Sequence, residues 1–251
     1  MENITFNNIY TLGNVVFEDE TFKHFHYPEM LVRYDSNFIE FKKMPSLDVF
    51  QKAVNYLTEF HRKNGQNHVK FTFMENQELT EELIEYLNND GYLYGYNELY
   101  TIQPHQFPHV VNDPNIKILP VSDENFEAFL KLQYSFDKEY GEQFANQKVG
   151  LHKRNFISEN IMQVLAIYKG IPAGSVDIII SEDTVEIDQL SVSEEFQRRG
   201  IGIRLQRFVM DLFPNKTVIL VADGQDTPRE MYQRQNYQYL GFKYECIKVY
   251  S

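Results

Sequence analysis

Apolar residues recur along this chain with two periods, and stretches of one alternate with stretches of the other. Val49, Phe50, Ala53, Val54, Leu57 and Phe60 fall on one helical face behind Ser46, a residue type that caps helix N-termini. That helix should end near Asn64-Gly65. His68–Met74 alternates with a period of two and predicts a strand. Thr80-Glu81-Glu82-Leu83 starts a second helix that stops at Asn89-Asp90-Gly91, and Tyr92–Ile102 is again strand-like. Upstream, Val15–Phe17 and Thr21–His26 read as a hairpin or an extended pair. Met30–Tyr34 and Phe38–Phe41 read as strands on either side of a turn at Asp35-Ser36-Asn37.

Between Gln103 and Asn115 the pattern breaks. Pro104, Pro108 and Pro114 sustain neither a helix nor a central strand, so the domain boundary is placed in 103–115. The expected organisation is an N-terminal α/β domain over 1–102, a linker, and a second domain over 116–251. The second part opens with a strand at Ile116–Leu119. Ser122-Asp123-Glu124-Asn125 then caps a helix running toward Tyr140-Gly141, and a further helix covers Glu142–Glu159. Gln163–Tyr168 and Ser175–Ser181 are strands around Lys169-Gly170. Val185–Val192 is a fourth strand, Thr217–Ala222 a fifth, and Tyr237–Tyr250 closes the domain. Thr227-Pro228-Arg229-Glu230 reads as a capping box with proline at the first helical position.

Composition narrows the function. The charge balance, 24 basic against 36 acidic residues, is −12, which argues against a nucleic-acid surface or an anionic membrane as partner and suits an amine-bearing substrate. A lone cysteine, Cys246, excludes an internal disulfide and fits a reducing compartment. No signal peptide is visible at Met1-Glu2-Asn3-Ile4, and apolar runs such as Val176–Ile180 are too short to span a bilayer. A soluble cytoplasmic protein is the expectation.

One stretch carries chemistry. The strand Val185–Val192 is followed by a polar break at Ser193-Glu194-Glu195. Gln197-Arg198-Arg199-Gly200-Ile201-Gly202 then leads into Ile203, Leu205, Phe208, Val209 and Leu212 at helical spacing. Strand, glycine-bearing loop and helix N-terminus together suit a phosphate group. The glycines allow close backbone approach, and the first helical turn offers free N–H donors and a partial positive charge. Neither Gly-x-Gly-x-x-Gly nor a Gly-Lys-Ser/Thr pair is present here. Arg198, Arg199, Arg204 and Arg207 form a basic cluster around the loop; it also has a bland reading, as ion pairs to Glu194 and Glu195.

The loop Gln197–Gly202 resembles the Gln/Arg-x-x-Gly-x-Gly/Ala loop of the GNAT superfamily of N-acetyltransferases. The order β-α-α-β-β-β-α-β-α-β over Ile116–Tyr250 is similar to that family's layout. The resemblance implies an acyl-CoA N-acyltransferase fold of α/β (α+β) class, with a mixed central sheet flanked by helices, and acetyl-CoA as co-substrate without a metal. It implies that Gln197, Arg198, Arg199, Gly200, Ile201, Gly202 and Ile203 hold the pyrophosphate. Backbone N–H groups of Leu190, Ser191 and Val192, where the strand splays from its neighbour, would polarise the thioester carbonyl. Glu186 and Asp188 lie two residues apart on one strand face. They are candidates for the base, or else line the sheet and bind a cationic substrate without moving protons; Asp177 is a weaker third. Met231-Tyr232-Gln233-Arg234-Gln235-Asn236-Tyr237 resembles the family's Leu-Tyr-Glu-Arg-Leu-Gly-Phe segment and nominates Tyr232 as the acid. A second register, Tyr237-Gln238-Tyr239-Leu240-Gly241-Phe242, nominates Tyr237.

The first domain reads as a worn copy of the same unit, although helix–strand alternation alone also produces such matches. Lys42-Lys43-Met44-Pro45-Ser46-Leu47 stands where the phosphate loop would be and has no glycine, and Pro45 removes an N–H. The first domain would then supply a wall of the acceptor pocket or a homodimer contact. The expected activity is acetyl transfer to an amine of a small molecule or peptide. A non-catalytic acyl-CoA-binding or sensor protein is the alternative.

Overall fold

The computed structural model describes residues 4–225 and 229–250. In chain order its regular elements are β1 (Asn14–Glu18), β2 (Phe22–His26), β3 (Phe38–Phe41), α1 (Leu47–Lys63), β4 (His68–Glu75), α2 (Glu81–Asn89) and β5 (Leu93–Ile102). There follow β6 (Ile116–Pro120), α3 (Phe126–Asp137), α4 (Glu142–Phe156), β7 (Ile161–Tyr168), β8 (Ile171–Ile180), β9 (Thr184–Val192), α5 (Ile201–Leu212), β10 (Thr217–Asp223), α6 (Arg229–Arg234) and β11 (Gln238–Val249). The helices begin where local chemistry starts them. Ser46 Oγ accepts from Val49 N at α1, and Thr80 Oγ1 accepts from Leu83 N at α2. Thr227 and Pro228 of the expected capping box lie outside the described residues.

Met30–Tyr34 is not a strand. Pro28–Met30 and Tyr34–Ser36 are 3-10 turns. Asn37 pins the segment, its amide donating to Met30 O (3.2 Å) and Arg33 O (2.9 Å) while Oδ1 accepts from Tyr27 N (3.0 Å). An asparagine side chain has replaced the ladder partner a strand would need.

The chain folds as two compact units, neither of them continuous in sequence. The first comprises Met1–Leu99, Ala222–Arg229 and Tyr239–Ser251, with strand order β1-β2-β3-β4-β11-β5. The closing strand β11, read from the sequence as completing the C-terminal domain, runs antiparallel to β4, pairing Val249 with His68 and Cys246 with Phe71. Its partner is chosen by which sheet offers an open ladder. The core of this unit packs Phe50, Ala53 and Leu57 of α1 and Leu83 and Leu87 of α2 against Phe41, Val69, Phe71 and Phe73.

The second unit comprises Tyr100–Val221 and Glu230–Gln238, with strand order β10-β9-β8-β7-β6. The end of β5 belongs here: Thr101 Oγ1 donates to Val218 O, and Gln103 Nε2 to Thr217 Oγ1.

The two units repeat one plan. β1-β2-β3 and β7-β8-β9 are antiparallel meanders, each followed by a helix and a strand parallel to the last. α2–β5 then matches α6–β11. The copies differ at the loop before the first of these helices. α1 follows Pro45 and is capped by a serine that occupies one of its free N–H groups. The α5 N-cap is Gly200, in left-handed conformation (φ 75°) and with no side-chain cap.

Candidate active site

β9 is paired on both sides only for its first part. Its parallel ladder with β10 joins Thr184, Val185 and Glu186 to Thr217, Val218 and Ile219, and among the described residues no pair follows. On the other side it stays with β8 as far as Val192↔Gly174, interrupted by a bulge at Gln189, which adopts φ +50°. The edge of β9 that carries Leu190, Ser191 and Val192 is thus open toward β10, where unpaired N–H groups can meet a carbonyl oxygen.

The bulge also resets which side chains face which way. Before it, Glu186 and Asp188 share the face covered by α4; after it, Ser191 lies opposite Ser175 on that same face, whereas plain alternation would have turned it away. Leu190 and Val192 turn to the α5 side, against Gly202. The bulge needs room that only glycine leaves. A Cβ on Gly174 would stand 2.7 Å from Ser191 O. Gly174→Ala should therefore destabilise the protein by about 2 kcal/mol through a forced backbone shift. Urea denaturation showing a change under about 0.5 kcal/mol would mean that β8 and β9 separate freely.

The loop folds onto the strand end. Ser193 N donates to Ala173 O, and Gln197 Nε2 to Val192 O (3.4 Å). Arg198 adopts φ +59°, which with Gly200 turns the backbone into α5. Ile201 is buried, while Gly202 has only ordinary contacts, 3.6 Å to Leu190, around a would-be Cβ. The first-turn amides of Ile201, Gly202 and Ile203 have no side-chain cap and suit an anion. The four arginines do not act alike. Arg204 is tied to carbonyls, donating to Gly200 O (2.8 Å) and Val111 O (2.7 Å), and Arg207 pairs with Asp211. Arg199 lies 5.3 Å over the Tyr168 ring and reaches only the Glu195 carbonyl (3.5 Å). The expected four-arginine patch thus reduces to Arg198 and Arg199, because the helix and its neighbours absorb the other two. Nor, among the described residues, do the arginines pair with the Glu194 and Glu195 carboxylates.

Glu186 is buried between Ile179 and Ile219, and Asp188 is half-buried opposite Asp177. Asp177, the weakest of the three candidates by sequence, is strongly perturbed: burial raises its pKa to about 6, and neighbouring Asp188 adds to the rise. Beside it lies a group that sequence reasoning missed. Lys148 Nζ donates to Asp137 Oδ1 (2.7 Å) and His152 Nε2 to Asp137 Oδ2 (2.9 Å), while Asn155 Nδ2 donates to Asp177 Oδ2 (3.1 Å). Burial works against the charge on Asp137, yet His152 and Lys148 prevail and hold its pKa below the usual value. The available signal was the spacing Lys148, His152, Asn155 on one face of α4.

Tyr232, on α6, is half-buried between Tyr100 (4.9 Å) and Tyr237 (5.3 Å), and its hydroxyl makes no hydrogen bond among the described residues. Burial raises its pKa, so it keeps its proton at neutral pH. Tyr237 is fully buried and donates to Gln206 Oε1 (2.9 Å). Asn236 takes the left-handed conformation (φ 66°) that a glycine would otherwise supply. Among the described residues no three His, Cys, Asp or Glu side chains are placed to hold a metal ion, and no helix is long and apolar enough to cross a membrane.

A meander that opens between two parallel strands, followed by an uncapped glycine loop and helix, is the acyl-CoA N-acyltransferase arrangement. The chain matches the acetyltransferase (GNAT) family over residues 125–237 and a domain of unknown function, DUF5613, over residues 4–100. Residues 125–237 thus form a GNAT-family domain, preceded by the DUF5613 domain, and the structural neighbours of the chain include tandem GNAT proteins. Over nearly its full length it is similar to a conserved protein of unknown function from Staphylococcus epidermidis, with 33% identity, 99% of this chain and 98% of that chain covered, and a TM-score of 0.91. A GCN5-related N-acetyltransferase from Kribbella flavida shares the fold at 11% identity (94% and 90% covered, TM-score 0.61). So does a tandem GNAT protein from the clavulanic acid biosynthesis pathway at 9% identity (84% and 75% covered, TM-score 0.54). No protein of curated function matches.

Proposed function

We propose that this protein moves an acetyl group from acetyl-CoA to an amine of a small molecule or peptide. The observation that carries the reading is the open edge of β9 ending at the uncapped N-terminus of α5. Pyrophosphate binding at the amides of Ile201–Ile203, with Gln197, Arg198 and Arg199 beside it, would lay the thioester along Leu190–Val192. The coenzyme supplies an activated acyl group. The chain's own residues orient it, accept the amine's proton on the Glu186–Asp188 face and return one to sulfur from Tyr232. Cys246 is buried and free, which suits work in the reducing cytoplasm.

The test is release of free CoA from acetyl-CoA across an amine panel. Coenzyme binding without release from any amine would leave a coenzyme-binding protein and overturn the reading. Tyr232→Phe should lower kcat by roughly ten- to a thousand-fold with little change in coenzyme affinity. Tyr237→Phe, which loses a buried bond to Gln206, should cost about 1 kcal/mol of stability and leave kcat near wild type. Slow turnover in Tyr237→Phe with normal Tyr232→Phe would transfer the acid role to Tyr237.

A further inference from the structure

Asp177 and Asp188 stand directly opposite each other on antiparallel β8 and β9. Cβ atoms of such pairs are about 5 Å apart, where two carboxylates repel unless something positive lies between them. The groups facing Asp177 supply it only in part: His152 and Lys148 draw its pKa down, yet burial and Asp188 leave it raised. Across the other ladder is Gln163. From α4 come Asn155, Lys148 and His152, and from the end of α3 comes Asp137. The charge of Lys148 is already taken by Asp137, in a pair buried on both sides. His152, 1% exposed, directs Nε2 at the same Asp137 and leaves Nδ1 without a partner; Asp177, 2% exposed, leaves Oδ1 without one. A core position thus holds a carboxylate whose one bonded oxygen is fixed by Asn155 and whose cross-strand neighbour, Asp188, is half-exposed and of the same sign. Glu186 differs, since both of its cross-strand neighbours are isoleucines.

We infer that Asp188 receives the proton of an ammonium acceptor and shares it with Asp177, which α4 holds in place through Asn155 and the His152–Asp137 pair. Asp177 is therefore a positioning residue, and the acceptor is an amine that arrives charged. The inference rests on the acetyltransferase reading. The protons balance. The ammonium loses one to the Asp188–Asp177 pair, freeing the lone pair that forms the new C–N bond. As the C–S bond breaks, Tyr232 protonates the leaving sulfur and regains a proton from the acylated nitrogen. The carboxylate pair returns its proton to solvent, so each turnover releases one.

The experiment is a carbon-13 NMR titration of the full-length protein labelled at aspartate carboxyls, with no ligand added. One carboxyl should titrate near pH 6. It should vanish in Asp177→Asn, move to lower pH in Asp188→Asn, where the repelling charge is gone, and move to higher pH in Asn155→Ala, where the stabilising bond is gone. In turnover, Asp177→Asn should lower kcat/KM at neutral pH at least tenfold and displace the acid limb of its pH profile, a change that simple loosening of the core would not produce. A midpoint near 6 that survives Asp177→Asn, or that ignores Asp188→Asn, overturns the shared proton. Because the titration needs no turnover, it stands apart from the acetyltransferase test: the expected shifts in a protein that releases no CoA would sink that reading and leave the shared proton standing.

Discussion

Below pH 6 the first unit should lose stability by about 4 kcal/mol per pH unit, because three of its buried histidines stay neutral while folded. Burial pushes His24 down to about 3, and His61 and His68 to about 4; His26 beside them is lowered too. The rings crowd together, His61 lying 4.6 Å from His68 and 6.1 Å from His24, with Phe60 edge-on to His24 at 4.5 Å. Their bonds suit the neutral form. His61 Nδ1 donates to His68 O (2.6 Å) and His68 Nε2 to Asn37 O (3.1 Å), while His61 Nε2 and His24 Nε2 have no partner that could take a proton's charge. A lowered base pKa means that the unfolded chain binds these protons first. The stability is therefore complete above pH 6.5 and is lost as pH falls from there toward 4. Each proton contributes about 1.4 kcal/mol per unit, and a loss over two units rivals the whole stability of an ordinary domain. Hydrogen exchange in α1 and β2, followed from pH 7 to 4.5, should accelerate with a slope near three protons. His24→Phe should remove about one. A slope below one proton in the wild type would show that the rings are already hydrated.

Gly202→Asp should weaken acetyl-CoA binding at least a hundredfold, about 3 kcal/mol, while Gly202→Ala stays within a few fold. The alanine adds a methyl at ordinary distances from Leu190 and Val192, so size is not the obstacle. The aspartate would direct its carboxylate at the amides of Ile201–Ile203, occupying the donors and repelling the pyrophosphate at short range in a partly desolvated site. Arg207→Ala should cost far less, since that side chain pairs with Asp211 at the surface. Calorimetry that ranks Arg207→Ala above Gly202→Asp would place the phosphates away from this loop.

Much of this architecture was already legible in the residues. Ser46 and Thr80 start helices because a hydroxyl bonds the backbone three residues on, and Asn64-Gly65 and Asp90-Gly91 end them. The glycine loop could be read for the same reason, as Gly200 and Gly202 act within one turn of chain. The loop before Ser46 was set apart from Gln197–Gly202 by its lack of glycine. These signals are local. What the tertiary structure alone decided has longer reach. Met30–Tyr34 has a strand's composition, yet Asn37 supplies its bonds and no sheet does. Tyr237, the second-register candidate behind Tyr232, spends its hydroxyl on Gln206, thirty-one residues away. The bulge at Gln189 turns Ser191 to the face of Glu186 and Asp188, and it depends on Gly174 across the ladder. Asp177 stands apart because Asp188 lies opposite it and Asn155 of α4 bonds it, contacts that sequence order does not reveal. β11 joins the first unit because β4 offers it a ladder. Caps and periods act between residues a few positions apart and so are written in order along the chain. Strand partners and buried proton sites are settled by which surfaces meet, and that meeting exists only once the chain has folded.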